Sequence, residues 1–260
     1  MHAVWSPRTI ERLAQLGLDA LTSYVAGRAA NLGEPSGPVV AATFAWFEPG
    51  LIVSLYESSR AVVPPERLIV ARDEATTESL WGVLGDDDPT EVADLVAEAV
   101  AHACGAGRPL FSGLRGRGRP TDPAQRLWWA CDLVREHRGD SHVAAASAAA
   151  MGPVEMNVLT ELWLGMPLLS YTATRGWSAA EMAATVASLE ARGWLAEGQL
   201  TEAGRSARVE VEARTDSQEQ AIVNALGDRF EEVCAQLNNW SADCVMAGAF
   251  PPDVLKRAAG

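Results

Sequence analysis

A charged cluster inside an apolar helical pattern is the feature that most constrains the fold of this chain. Residues 135–142 read Arg-Glu-His-Arg-Gly-Asp-Ser-His. Mostly apolar residues recur at helical spacing through and around this cluster. This spacing predicts a helix with one stripe of side chains facing the core. The stripe contains Leu127, Cys131, Val134, Arg138, His142 and Ala145.

This pattern directs Arg138 and His142 toward the core and places Arg135 on the flank of the stripe. Glu136 and Asp140 are predicted on the opposite side of the helix. A buried arginine without a partner is costly, so Arg138 is expected to meet a carboxylate, backbone carbonyls or an anionic ligand.

Three interpretations of the cluster remain open at this point: a structural ion network, a ligand-facing Arg/His pair, and a metal site. The metal site would use His137, Asp140 and His142, but His137 and His142 project in different directions from one helix. The metal site is therefore the least favoured of the three, and we expect neither a metal nor a cofactor.

Charge and cysteine content limit the classes of function. The 260-residue chain has a formal net charge of −13, which repels phosphate backbones and disfavours nucleic-acid binding. Its four cysteines form no Cys-x-x-Cys pair, as is typical of free cytosolic thiols. The sequence shows no signal peptide and no apolar run of membrane-spanning length, so we expect a cytoplasmic protein without a membrane partner.

The pattern of helices and loops suggests three parts. Residues 1–111 are predicted to form a helical N-terminal domain, residues 112–122 an Arg/Gly-rich linker, and residues 123–260 the central helix, a winged-helix domain and C-terminal helices. The region 108–122 is predicted to be the least structured. Within it, residues 117–120 resemble the core of an AT-hook, although a flexible linker is the simpler interpretation.

The C-terminal part has the element order of a winged helix. A capping box at Ser178 and Glu181 opens a helix that ends at Gly193. A tight turn at residues 197–198 joins two short strands, and a long helix follows from Thr201. The predicted fold is therefore mainly α, with a helical N-terminal half that is interpreted as a degenerate repeat of a C-terminal winged helix.

Residues 189–195 and 200–205 resemble the winged-helix domain of the MarR family. The resemblance implies a DNA-reading helix, and it assigns base contacts to Ser178, Thr185, Ser188 and Arg192. That helix carries two glutamates and a single arginine, whereas groove-reading helices usually present Arg, Lys, Asn or Gln.

The whole chain also resembles an actinobacterial family of two-part helix-turn-helix proteins of unproven activity. The residues that carry this resemblance are 24–30, 43–44, 108–111, 127–128 and 135–143. The resemblance implies that the central charged cluster is a feature of the family.

An internal duplication is a further hypothesis. Residues 24–28 can be aligned with residues 134–138, which makes Arg28 and Arg138 pseudo-equivalent. Two inward arginines would then line the seam between the halves, where pockets often form.

Three functions follow from these features. The first is a small-molecule-binding protein of regulatory or accessory type, with a small organic anion between its halves. Its ligand-binding residues are predicted to be Arg28, Arg138, His142, Arg135, Tyr24, Phe47, Trp128 and Trp163. The first alternative is a MarR-like DNA-binding transcription regulator.

The second alternative is an enzyme in which His142 or His137 acts as general base. Asp140 or Glu136 would orient the base, and Arg138 would stabilise negative charge.

The apolar stripe at positions 222, 226, 230, 233 and 237 favours either a homodimer or a monomer with pseudo-twofold symmetry.

Overall fold

Helices dominate residues 6–250 and 255, which are the residues that the computed structural model describes. The first seven helices are α1 (Pro7–Ala14), α2 (Ala20–Ala29), α3 (Gly37–Thr43), α4 (Pro49–Arg60), α5 (Pro65–Leu84), α6 (Thr90–Ala101) and α7 (Pro109–Gly116). They are followed by α8 (Pro123–Ala148), α9 (Pro153–Trp163), α10 (Ala179–Ala191), β1 (Leu195–Ala196), β2 (Gln199–Leu200), α11 (Glu202–Leu226) and α12 (Phe230–Met246). Short 3-10 turns cover Ala30–Leu32, Thr172–Arg175 and Gly227–Arg229.

Side-chain caps fix several helix starts. Asp122 accepts a hydrogen bond from the Gln125 backbone at the start of α8. At the start of α10, Ser178 Oγ accepts from the Glu181 backbone at 3.2 Å, and the Glu181 carboxylate accepts from the Ser178 backbone at 2.9 Å. The predicted capping box is thereby confirmed, and it satisfies backbone N–H groups that a helix cannot pair internally.

Helix α8 is the centre of the fold, because it contacts α5, α6, α7 and α11. The predicted inward stripe needs a correction here. The Arg138 side chain is 44% exposed, whereas Glu136 is only 1% exposed and Asp140 is also buried. Neighbouring helices surround α8 on several sides, so charged residues outside the apolar stripe are buried against partners from other elements.

The segment predicted to be unstructured is helical through Gly116, which also corrects the sequence-based prediction. Helix α7 packs against α8 and against the turn Ala30–Leu32. A Cβ atom on Gly113 would lie 2.4 Å from the Asn31 carbonyl oxygen, so only glycine permits this approach. Arg117 forms an ion pair with Asp73, so this AT-hook-like arginine is engaged within the chain.

Between α9 and α10 the chain forms turns and then the 3-10 turn Thr172–Arg175. After α10, strands β1 and β2 pair antiparallel, with Leu195 opposite Leu200. Their connection has positive φ at Glu197 and Gly198, which confirms the predicted tight turn.

The C-terminal apolar stripe packs within the chain. Ile222 belongs to a buried cluster with Val100 and Leu133, and Val233 belongs to another with Val96 and Ala130. Helices α11 and α12 therefore cover α6 and α8. None of the helices in the described residues is long and apolar enough to cross a membrane.

Candidate functional site

A cavity of about 290 Å³ lies between α2, the end of α3, α8 and the turn Thr172–Arg175. We call it the arginine cavity because four arginines line it: Arg28, Arg135, Arg138 and Arg175. Six of the eight predicted ligand-binding residues line this cavity, namely Tyr24, Arg28, Phe47, Arg135, Arg138 and His142. The cavity contains side chains from both halves of the sequence.

Arg28 is held on the cavity wall by a bidentate ion pair. Its Nε and Nη2 donate to the two carboxylate oxygens of Glu136 at 2.9 and 2.7 Å, and its Nη1 donates to the Tyr24 hydroxyl at 2.8 Å. Burial alone would lower the pKa of Arg28, but the Glu136 carboxylate outweighs burial and raises it. Arg28 is therefore a fully charged structural anchor with most of its donors already used.

Arg175 is the charged cavity residue that sequence reasoning missed. Its guanidinium carbon lies 4.4 Å from the Phe47 ring centroid and 4.2 Å from that of Tyr171, and its Nη2 donates to the Tyr171 hydroxyl. The Nε–H group is buried without a hydrogen-bond partner, and Arg175 pairs with no carboxylate in the described part of the chain. The sequence indicated only a turn at residues 175–177, which does not reveal where the side chain points.

Arg135 adds further positive charge to the cavity. Its Nη1 donates at 3.4 Å to a Glu136 oxygen that Arg28 already occupies, so the two arginines share one carboxylate. Burial raises the pKa of Tyr24, but Arg28, Arg135 and Arg175 together outweigh burial, and its pKa is lowered. The cavity is thus positive within a chain of strongly negative net charge.

Asp140 is a carboxyl group at the edge of this positive field. Its Oδ2 accepts a hydrogen bond from the Phe111 backbone at 3.1 Å, and it lines the arginine cavity. Burial raises the pKa of Asp140 to about 6, even though this hydrogen bond favours the charged form. The group therefore changes charge close to neutral pH.

His142 is held as a neutral imidazole. The Thr215 hydroxyl donates to the Val211 carbonyl at 2.8 Å, so it accepts from His142 Nδ1–H at 3.0 Å. Burial, reinforced by Arg208, lowers the pKa of His142 to about 4. The imidazole also packs against Trp46, with the two ring centroids 5.4 Å apart.

His137 lies outside the arginine cavity. Its Nδ1 is 2.8 Å from the Glu219 carboxylate, and its ring packs edge-on against Phe111. Of the three catalytic candidates, the structure therefore brings only His142 and Asp140 to the cavity. Among residues 6–250 and 255, no group of three His, Cys, Asp or Glu side chains is placed to hold a metal ion.

A second cavity of about 330 Å³ adjoins the first. It is lined by Asn157, Thr160, Trp163 and Arg208, together with four residues that also line the arginine cavity: Trp46, Arg138, His142 and Tyr171. Trp163, a predicted ligand-binding residue, belongs to this second cavity. Trp128 lines neither of the two, and lies instead in a separate cavity beside Arg117 and Thr121.

Helix α10 is exposed along most of its length, with only Met182 and Leu189 buried. Of the side chains assigned to DNA contact, Ser178, Ser188 and Arg192 are exposed and Thr185 is half-buried. Arg192 donates to Glu155 at 2.7 Å, and its guanidinium carbon lies 3.7 Å from the Trp194 ring centroid. The one arginine of this group is therefore already neutralised.

Comparison with known proteins gives a match at the level of family. A model described as a helix-turn-helix family matches residues 1–251, which span both sides of the arginine cavity. No curated protein and no solved structure matches the chain.

Proposed function

This chain belongs to a helix-turn-helix family, and from that premise we propose that it is a regulatory or accessory protein that binds a small organic oxyanion in the arginine cavity. The family match favours a regulatory role for the chain as a whole. The arginine cavity supplies the site at which a small molecule would act.

The observation that carries this proposal is that the Arg175 guanidinium is held in place without a carboxylate partner in the described residues. Its guanidinium is fixed between two aromatic rings, its buried Nε–H has no hydrogen-bond partner in the described residues, and no carboxylate there neutralises it. A planar guanidinium held in place in this way is suited to bidentate binding of a carboxylate or phosphate. Arg135, which shares Glu136 with Arg28, is the second donor available to the same anion.

The cavity walls favour an organic anion over an inorganic one. Phe44, Trp46 and Phe47 line the cavity together with Tyr24 and Tyr171. Aromatic walls stabilise an apolar ligand body while a few polar groups fix its orientation. The volume of about 290 Å³ lies at the lower end of the usual range for ligand pockets, which favours a small ligand.

A thermal-shift screen with small aromatic carboxylates and phosphates tests the proposal. A ligand at about 100 times its Kd stabilises the folded state by about 2.7 kcal/mol, which gives a shift of several degrees. We expect a hit to stabilise the wild type and to leave Arg175→Gln unmoved. The control Arg214→Gln changes an exposed arginine on α11 and should respond like the wild type. Hits that stabilise Arg175→Gln equally well would overturn the proposal.

DNA binding by the C-terminal part is the second candidate function. Its support is the order α9, α10, β1, β2, α11, which resembles that of a winged helix, and the exposure of α10, which would then be the DNA-reading helix. The neutralised Arg192 and the exposed Glu181 and Glu190 oppose this function.

Fluorescence anisotropy with a random-sequence duplex tests the second candidate. Affinity should fall steeply between about 50 and 200 mM salt if several cations contact phosphates. Substitution of Glu155 by Gln should then strengthen binding, because it releases Arg192 from its ion pair. An affinity that neither salt nor Glu155→Gln changes would exclude groove binding through α10.

A further inference from the structure

The arginine cavity and the second cavity share a wall, which has a consequence for the shape of the ligand. Trp46, Arg138, His142 and Tyr171 line both spaces. Each cavity has a volume of about 300 Å³, so a molecule confined to one of them would leave the other vacant.

The shared wall is mainly aromatic and its imidazole is uncharged. The Trp46 and His142 rings lie 5.4 Å apart at an angle of 59°. His142 donates to Thr215, and burial lowers its pKa to about 4, so it is neutral at pH 7. Arg138 points its charge at Glu212 and Asp216, at 2.7 and 3.2 Å. This wall therefore suits an apolar part of a ligand rather than a second ionic group.

Positive charge at the far end of the second cavity is also balanced by a carboxylate. Arg208 forms an ion pair with Glu212, and its Nε donates to Thr160 Oγ1 at 3.3 Å. The guanidinium lies over the Trp163 ring, 4.8 Å from its centroid. The Trp163 side chain is nevertheless 40% exposed, and the half-buried Leu164 lies beside it. An aromatic or aliphatic ligand group is the chemistry that would cover this indole.

We propose that the ligand is an elongated carboxylate with one anionic end and an apolar tail. The carboxylate lies at Arg135 and Arg175, the body passes Trp46 and His142, and the tail packs against Trp163 and Leu164 in the second cavity. This inference rests on the proposed oxyanion binding and adds the length and the single charge of the ligand.

Isothermal titration calorimetry with two acids tests this inference on the full chain. The probes are phenylacetate and 6-phenylhexanoate, which have the same carboxylate and the same ring at different separations. Leu164→Trp fills the second cavity, and Val209→Trp places the same indole at an exposed position of α11 that lines neither cavity. Trp163→Ala is a second variant, which removes the tail contact without filling the space.

In the wild type and in Val209→Trp, 6-phenylhexanoate should bind at least tenfold more tightly than phenylacetate. Leu164→Trp and Trp163→Ala should reduce this advantage to threefold or less and leave phenylacetate binding unchanged within twofold. Equal affinities of the two acids for the wild type would overturn the elongated ligand, while Arg175-dependent phenylacetate binding would still support the oxyanion site. A long-acid advantage that survives in both variants would place the tail elsewhere. Failure of both acids to bind would overturn the inference and the oxyanion site together.

Discussion

Arg28 on α2 and Glu136 on α8 are joined by two hydrogen bonds of 2.9 and 2.7 Å across 108 positions of sequence. Glu136 is 1% exposed, and the Arg28 side chain is 12% exposed. The pair fixes the N-terminal wall of the arginine cavity to the central helix. Because Glu136 is already paired with Arg28, it compensates Arg135 only weakly, at 3.4 Å, and Arg175 pairs with no carboxylate in the described residues.

Glu136→Gln should lower the free energy of unfolding by about 3–5 kcal/mol, because it leaves the Arg28 guanidinium buried without its counter-ion. Urea denaturation of the full chain measures this change. The control Glu210→Gln breaks an exposed pair with Arg214, which should cost less than about 1 kcal/mol. A loss no larger than that of the control would show that Arg28 does not depend on Glu136.

Anion binding in the arginine cavity should weaken as pH rises through about 6. The pKa of Asp140 is raised to about 6 by burial, so the group is largely neutral below this pH and carries a negative charge above it. That charge opposes a ligand carboxylate nearby, so phenylacetate should bind several-fold more tightly at about pH 5.5 than at about pH 7.5.

Calorimetry on wild type and Asp140→Asn at both pH values separates this effect from others. The asparagine can still accept the hydrogen bond from the Phe111 backbone but does not titrate. An equal pH dependence in wild type and variant would show that Asp140 does not control the binding.

His142 should make the folded state less stable as pH falls from 6.5 to about 4. Its folded pKa is lowered to about 4 from an ordinary value of 6.5, mainly by burial, so the unfolded chain takes up the proton first. Between about pH 7 and pH 5 this should cost about 2 kcal/mol. Asp140 acts in the opposite direction below about pH 6, so the effect of His142 is the difference between wild type and His142→Gln in urea denaturation. Parallel stability profiles for the two proteins would contradict the prediction.

Gly113→Ala should be strongly unfavourable, because the added Cβ would lie 2.4 Å from the Asn31 carbonyl oxygen. We expect a loss of at least about 1–3 kcal/mol, which is typical of overpacking. Gly82→Ala is the matched control on α5, since a Cβ there meets nothing within 4 Å and should stabilise the helix by about 0.5–1 kcal/mol. Thermal unfolding of both variants checks the pair. Similar midpoints would mean that α7 does not approach Asn31 so closely.

Local patterns in the sequence were sufficient for the helical class and for several element boundaries. The capping box at Ser178 and the turn at residues 197–198 depend only on neighbouring residues, and both are present. The region 108–122 was misjudged because α7 is stabilised by contacts with α8 and with Asn31, which are distant in sequence. Its glycines indicated flexibility, whereas Gly113 serves close packing.

The sequence predicted which residues line the candidate site better than it predicted where their side chains point. Helical spacing directed Arg138 inward, but the burial of Glu136 depends on Arg28 from α2, which the periodicity of α8 alone cannot indicate. Arg175 had no local signal, since its position depends on the rings of Phe47 and Tyr171. The proposed duplication remains a hypothesis: Arg28 and Arg138 both line the cavity, but Arg28 is half-buried and Arg138 is exposed.

The most direct test of the arginine cavity compares phenylacetate with its neutral counterpart phenylacetamide by calorimetry on the wild type and Arg175→Gln. The two probes have nearly the same shape, so a difference in affinity reports the interaction of the carboxylate with the guanidiniums. We expect the wild type to bind phenylacetate at least tenfold more tightly than phenylacetamide, and Arg175→Gln to lose most of this preference. Equal affinity of the wild type for the acid and the amide would contradict an oxyanion site in the arginine cavity.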